Sequence, residues 1–347
     1  MKTENMKKPT FVRLLLTTGL LSALAPITTL RATPINPNPN LYVNAGVLGG
    51  ADGKGLILEY TPTGTQSTFA AGLNSPRGLA FESGGNFFAA STTVGATVAD
   101  DQGSLLKFTP GGTQSNVGST GSNFMEGVAI DGAGNDYVVG VNRSSLALAS
   151  TIFKFTPGGT SSIFGTLPGQ TFGLAFDSAG NLFAADASDQ TIFKFTPGGT
   201  RSVFAGPTAF SSPAGTGPLG LAFNSAGDLF VSATPGAPGV ASGTILEFTP
   251  GGTESTFVTG LDLPRGLAFD SAGNLFVAEP ALGVVEEFTP GGTKTVFATG
   301  IPGGAQFLTF GPARAPVSTS VPDSGSTVML LTISTLGLVC VRRMVKA

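Results

Sequence analysis

The chain has 347 residues, of which only 11% are charged, against the roughly 25% usual for a soluble globular protein, while 51 Gly and 24 Pro make up about a fifth of it. Its 27 Phe and regularly placed Val, Ile and Leu supply the apolar area that disordered segments lack, so the bias points to many short strands joined by tight turns. With no histidine, no tryptophan and 1 cysteine, the sequence excludes His-dependent acid–base catalysis, Ser-His-Asp and Cys-His nucleophile systems, and Cys or His zinc sites.

Residues 1–32 combine a basic start (Lys2, Lys7, Lys8, Arg13) with an apolar run from Leu14 to Leu30 and a small residue, Ala32. This reads as a secretory signal peptide, with an uncleaved N-terminal anchor as the alternative because Leu30 makes a poor cleavage position. Residues 33–40 read as a linker.

From residue 41 to 312 the chain repeats itself, and a period of tens of residues is the mark of an array or a propeller. One phrase appears as Tyr60-Thr-Pro-Thr-Gly-Thr65 and then as Phe-Thr-Pro-Gly-Gly-Thr from Phe108, Phe155, Phe195, Phe248 and Phe288, at spacings of 48, 47, 40, 53 and 40 residues. A second, Gly-Leu-Ala-Phe-Asp-Ser-Ala-Gly-Asn-Leu-Phe in its cleanest form, begins at Gly78, Gly127, Gly173, Gly220 and Gly266, with a worn sixth copy around Phe307 to Phe310.

Each unit predicts four short strands. In the unit at Gly173 they are Gly173 to Phe176, Leu182 to Ala185, Thr191 to Thr196 and Ser202 to Ala205. Asp177 to Asn181 supplies Asx-type turn chemistry with Gly180 at positive φ, and Pro197-Gly198 fits the central pair of a type II turn. In the third strand a charged residue sits between two residues of the opposite face in every copy (Glu59, Lys107, Lys154, Lys194, Glu247, Glu287), which predicts a solvated face carrying surface charges. The fold class is thus all-β: a six-bladed β-propeller of four-stranded blades. Three strands before the first turn phrase (Leu41 to Ala45, Leu56 to Thr61, Thr68 to Ala71) and one after the last (Phe307 to Phe310) predict closure by a 3+1 blade.

Residues 313–320 read as a second linker. Beyond it, Val321-Pro322-Asp323-Ser324-Gly325 precedes an apolar run from Thr327 to Val341 and the basic Arg342, Arg343 and Lys346. As a helix, this 15-residue run would reach about 22 Å, short of a ~30 Å hydrocarbon core, so it predicts a short C-terminal helix suited to a transient hold. The basic end places everything upstream outside the inner membrane. The tail resembles the VPDSG variant of PEP-CTERM sorting signals, which implies processing by an exosortase-type protease after passage through the secretion machinery of a Gram-negative bacterium. Cys340 lies inside the apolar run and forms no intramolecular disulfide; it reads as a small membrane-segment residue or a lipidation site.

Residues 33–320 keep 10 of the 18 basic and 19 of the 21 acidic side chains, a net charge of −9, which argues against a nucleic-acid partner. The repeat phrases resemble the six-bladed NHL-repeat and gluconolactonase-like (SMP-30) propellers and the virginiamycin B lyase-like group. The likeness lies in blade grammar over residues 41–312. The lyases depend on a histidine that this chain lacks, and the gluconolactonase-like enzymes hold a divalent metal with Glu, Asn and Asp at the channel mouth.

Candidate channel-mouth residues precede the first-strand glycine (Arg77, Glu126, Phe172, Leu219, Arg265) or follow the second strand (Asn44, Ser91, Asp186, Glu279). Asn44, Glu126 and Asp186 have the oxygen chemistry for a hard cation such as Ca²⁺, whereas Arg77 and Arg265 suit an anion or a carboxylate-bearing sugar. No other cofactor is indicated. The long excursions 92–104, 142–150 and 234–243 are the expected binding loops. The leading expectation is an exported, envelope- or matrix-associated binding or scaffold protein without catalysis, whose partner is an extracellular glycan or envelope protein. The alternative is a metal-dependent gluconolactonase-like hydrolase using the channel-mouth carboxylates.

Overall fold

A computed structural model describes residues 39–46, 54–93, 101–121, 124–142, 149–210, 217–234 and 243–312. The chain divides into two units, Met1–Pro37 and Asn38–Ala347, and every described residue belongs to the second.

The two repeated phrases are its hairpins. In Asp177 to Asn181, the Asp177 carboxylate accepts the Ala179 and Asn181 N–H groups at 3.0 and 2.8 Å, and Gly180 takes φ 80° as expected. In the Thr-Pro-Gly-Gly-Thr turn, the Gly199 N–H donates to the Thr196 carbonyl at 2.8 Å, and the left-handed residue is Gly199 (φ 86°), one place beyond the central pair. The expected type II turn is therefore corrected. Gly198 is outside the left-handed region, and a type I-like reversal followed by a left-handed glycine fits the twist of the flanking strands.

Among the described residues, twenty-four strands form six sheets of four antiparallel strands. Blade 1 takes its inner strand from the far end of the domain, Ala305–Gly311, followed outward by Asn40–Ala45, Lys54–Tyr60 and Gln66–Asn74. Blade 2 comprises Leu79–Phe81, Phe87–Thr93, Gln102–Phe108 and Gln114–Ser119, and blade 3 Phe124–Ile130, Asp136–Val141, Ser150–Phe155 and Ser161–Leu167. Blade 4 comprises Thr171–Phe176, Leu182–Asp186, Thr191–Phe195 and Arg201–Ala205; blade 5, Gly217–Phe223, Leu229–Thr234, Gly243–Phe248 and Glu254–Leu261. Blade 6 comprises Leu267–Phe269, Leu275–Glu279, Val284–Phe288 and Lys294–Ala298. Each inner strand touches the next around a closed ring, and the 3+1 blade completes it.

One irregularity recurs in all six blades. Between the third and outer strands the register slips by one residue, at Ile57/Leu58, Leu105/Leu106, Ile152/Phe153, Ile192/Phe193, Ile245/Leu246 and Val285/Glu286. The residues left out of pairing are Phe69, Val117, Phe164, Phe204, Phe257 and Phe297. A bulge re-aims its side chain and blunts an exposed sheet edge.

Five of these bulged residues are phenylalanines, and each turns into the junction with the next blade. There it meets the aromatic residue of its own second strand, which also packs against a phenylalanine on the next blade's inner strand. The resulting triads are Tyr42/Phe69/Phe81, Tyr137/Phe164/Phe176, Phe183/Phe204/Phe223, Phe230/Phe257/Phe269 and Phe276/Phe297/Phe310, with centroids 4.8 to 5.2 Å apart. Edge-to-face contacts of this kind are worth roughly 0.5–1.5 kcal/mol per pair beyond area burial. The core is thus a set of junctions rather than one central mass.

The third-strand charges are less solvated than their alternation implied. Glu59 is buried, accepting from Asn40 Nδ2 at 2.7 Å and Tyr42 Oη at 2.8 Å, while Lys107, Lys154 and Lys194 lie over the rings of Phe88, Tyr137 and Phe183. The aromatic second strand beside them gives the alkyl stems a surface to cover.

The expected flanking helices are corrected. Among the described residues no helix is long and apolar enough to cross a membrane, and the helical turn Pro207–Phe210 spans 4 residues. The fold class reduces to the all-β propeller, and the signal peptide, the sorting helix, the transient membrane anchor and the address built on them are not carried further. Residues 1–32 and 321–347, including Val321, Pro322, Asp323, Ser324 and Gly325, lie outside the described residues, as does most of each long excursion (94–100, 143–148, 235–242).

Candidate functional site

The inner strands converge on a cavity of about 50 Å³ lined by Gly78-Leu79, Gly127-Val128, Gly173-Leu174, Gly220-Leu221, Gly266-Leu267 and Phe307-Leu308, one pair from each blade. The repeated glycine is what allows this approach. A Cβ on Gly78, Gly127 or Gly173 would stand 2.3 Å from the carbonyl oxygen of Glu126, Phe172 or Leu219 on the next blade, and one on Gly220 would stand 2.0 Å from that of Arg265. The Gly78 and Gly266 N–H groups donate across the junction to the Glu126 and Gln306 carbonyls at 3.0 and 2.9 Å.

Six residues precede these positions in the inner strands: Gln306, Arg77, Glu126, Phe172, Leu219 and Arg265. The Arg77 N–H donates to Ala90 and the Arg265 N–H to Ala278, which fixes both arginines against their own second strands. The two side chains then differ. Arg77 Nη1 contacts both Glu126 carboxylate oxygens at 3.1 Å, and its guanidinium lies 4.7 Å from the Phe124 ring centroid. Both members of this pair are buried. Arg265 Nη1 instead donates to the neutral Gln306 Oε1 at 3.0 Å. Burial and the Arg77 charge push the Arg265 guanidinium below its ordinary range while Glu126 pulls it back, so the three charges share one electrostatic field. Two guanidiniums face one carboxylate.

The residues at the ends of the second strands do another job. Asn44 donates from Nδ2 to the Pro76 carbonyl at 2.7 Å and accepts the Gln306 and Phe307 N–H groups at 3.2 and 2.6 Å. Asp186 accepts Gly169 N–H at 2.9 Å and Asp189 N–H at 3.2 Å, although burial still raises its carboxyl. Ser91 donates to the Asn74 carbonyl, and Ser232 accepts Gly220 N–H while donating to the Arg265 carbonyl. Glu279 accepts Asp262 N–H and is pushed up to about 7 by burial and by Glu286 alongside it.

Of the foreseen residues, Arg77, Glu126 and Arg265 share the channel mouth. Asn44, Asp186 and Glu279 are committed to backbone groups at separate junctions. The ligand set expected for Ca²⁺ does not assemble: among the described residues no group of three or more His, Cys, Asp or Glu side chains is placed to hold a metal ion. Gln306 was missed because its repeat copy has Phe307 in place of the glycine that marks the others.

These features define a closed six-bladed β-propeller with an arginine-rich channel mouth. No protein-family model matches the sequence and no curated protein matches it, and neither comparison supports the sorting signal read at residues 321–347. Solved structures do match the fold. A streptogramin B lyase structure aligns with TM-score 0.54 at 16% identity, covering 78% of this chain and 92% of that one. A catalytically inactive virginiamycin B lyase variant from Staphylococcus aureus with quinupristin aligns with TM-score 0.52 at 15% identity over 76% and 85% of the two chains. A protein from Lactobacillus plantarum aligns with TM-score 0.53 at 11% identity over 79% and 99%.

Proposed function

We propose that the propeller is a binding module that takes a carboxylate-bearing ligand, such as an acidic sugar or glycan, at the channel mouth without transforming it. The observation that carries this reading is Arg265, a largely buried guanidinium that has Gln306 where Arg77 has Glu126. A planar fork of donors that shares the field of Glu126 but has no direct ion pair among the described residues is suited to receive a carboxylate from a ligand. Calorimetric titration with glucuronate tests it: Arg265→Gln should weaken binding by about tenfold or more, and an unchanged affinity rejects the reading.

The second reading is a gluconolactonase-like hydrolase, and its support is that this fold also carries enzymes, two of the matched propellers being lyases. Here Glu126 would have to leave Arg77 to serve a metal. Lactone turnover that needs added Ca²⁺ and disappears in Glu126→Gln would replace the binder with an enzyme.

A further inference from the structure

The junction between blades 2 and 3 breaks the repeat at three positions at once. Where the other five junctions carry an aromatic triad, this one has Phe88, Val117 and Ile130: the bulged residue and the inner-strand residue of the next blade have both lost their rings. The third break is Asp136. It opens the second strand of blade 3 at the place held by Leu41, Phe87, Leu182, Leu229 and Leu275 in the other blades, all of them core residues.

Phe88, Val117 and Asp136 line a cleft of about 280 Å³. The matching cleft between blades 5 and 6, about 300 Å³, has Leu275, Phe257 and Phe269 on its wall, so the two differ in chemistry rather than size. Asp136 is 2% exposed, and its Oδ1 has no hydrogen-bond partner among the described residues. Glu82 and Lys107 line the same cleft, but neither forms an ion pair with Asp136. Lys107 instead lies 5.3 Å from the Phe88 ring centroid. A buried carboxylate at a leucine position is costly unless something completes it.

We propose that the cleft between blades 2 and 3 binds a small organic cation, a primary ammonium on a short apolar chain. Its charge is taken by Asp136 and Glu82, and its chain lies against Phe88 and Val117. A divalent metal fits less well, because Ca²⁺ takes 6–8 oxygen ligands and two carboxylates face this space. Burial, Glu82 on the preceding blade and Asp131 in its own hairpin push the Asp136 carboxyl up to about 7, with Lys107 opposing them. Affinity for the cation therefore rises as pH increases from 6 to 8.

The test uses the whole protein with butylammonium as probe, titrated at pH 8 by calorimetry. Saturable binding is expected, reduced by about tenfold or more in Asp136→Leu, which restores the repeat residue and so should fold at least as well. Val117→Phe, which rebuilds the ring in the cleft, should block binding too, while Arg265→Gln leaves it unchanged and separates this site from the channel mouth. Three results overturn the proposal: no saturable binding in the wild-type protein, equal binding by Asp136→Leu, or a preference for Ca²⁺ over butylammonium that Asp136→Leu abolishes.

Discussion

The second strand of each blade ends beside backbone groups that need partners, and blade 6 meets that need with a carboxyl, Glu279. Its neighbour Glu286 holds an ion pair with Lys294 at 2.5 Å, so burial and a like charge combine to raise the Glu279 carboxyl to about 7. Asp136 is raised to about 7 as well. Both native-state values lie above those of an unfolded chain, so the folded protein holds protons that the unfolded chain releases. Their stabilising contribution is fully present below about pH 4 and is lost as pH rises through about 7. Stability should therefore fall between pH 5 and 8, by an amount on the order of 2 kcal/mol after allowance for solvent screening, and the melting temperature with it. Glu279→Gln should flatten that slope in a thermal-melt series. Little of this was legible in the sequence. Glu279 stood out as a polar residue after a strand, but its apparent freedom to serve a ligand disappears only when Asp262 and Glu286 are seen beside it.

Neighbouring residues in an outer strand have very different roles once the bulge is known. Phe204 enters the junction with blade 5 and packs edge-to-face against Phe183, whereas Val203 beside it is 61% exposed. Phe204→Ala should cost roughly 2–3 kcal/mol in urea denaturation, and Val203→Ala close to nothing. Strict alternation read the strands correctly and could not place the bulge, because an extra residue suspends the period of two. The turn correction has a similar origin. Gly198 and Gly199 are indistinguishable by composition, yet the first repeat places Thr63 where the others have the earlier glycine, and it is Gly64 that carries φ 79°. That one departure marks the position that demands glycine, and the type II expectation passed over it.

The blade number and the 3+1 closure were readable because spacing and strand count are properties of the chain itself. The place of Arg77, Glu126 and Arg265 at the channel mouth was readable from the residue before each first-strand glycine, but their pairing was not, since closing the ring decides which of them meet. Across that ring the third-strand charge is Lys in blades 2 to 4 and Glu in blades 5, 6 and 1, so this one position changes sign around the domain. Removing residues 305–312 would take the inner strand from blade 1 and leave an open arc. Such a variant should melt about 10 °C or more below the intact protein by circular dichroism.

The closing ladder also has a direction. Asn40, which opens its strand, pairs with Gly311, which ends the other, so the flanking chains leave the ladder at the same end. Tension between them falls on one pair of hydrogen bonds at a time and peels the strands apart, rather than loading all the pairs together in shear. Heat must break the ring cooperatively; a modest pull on its two ends would unzip it.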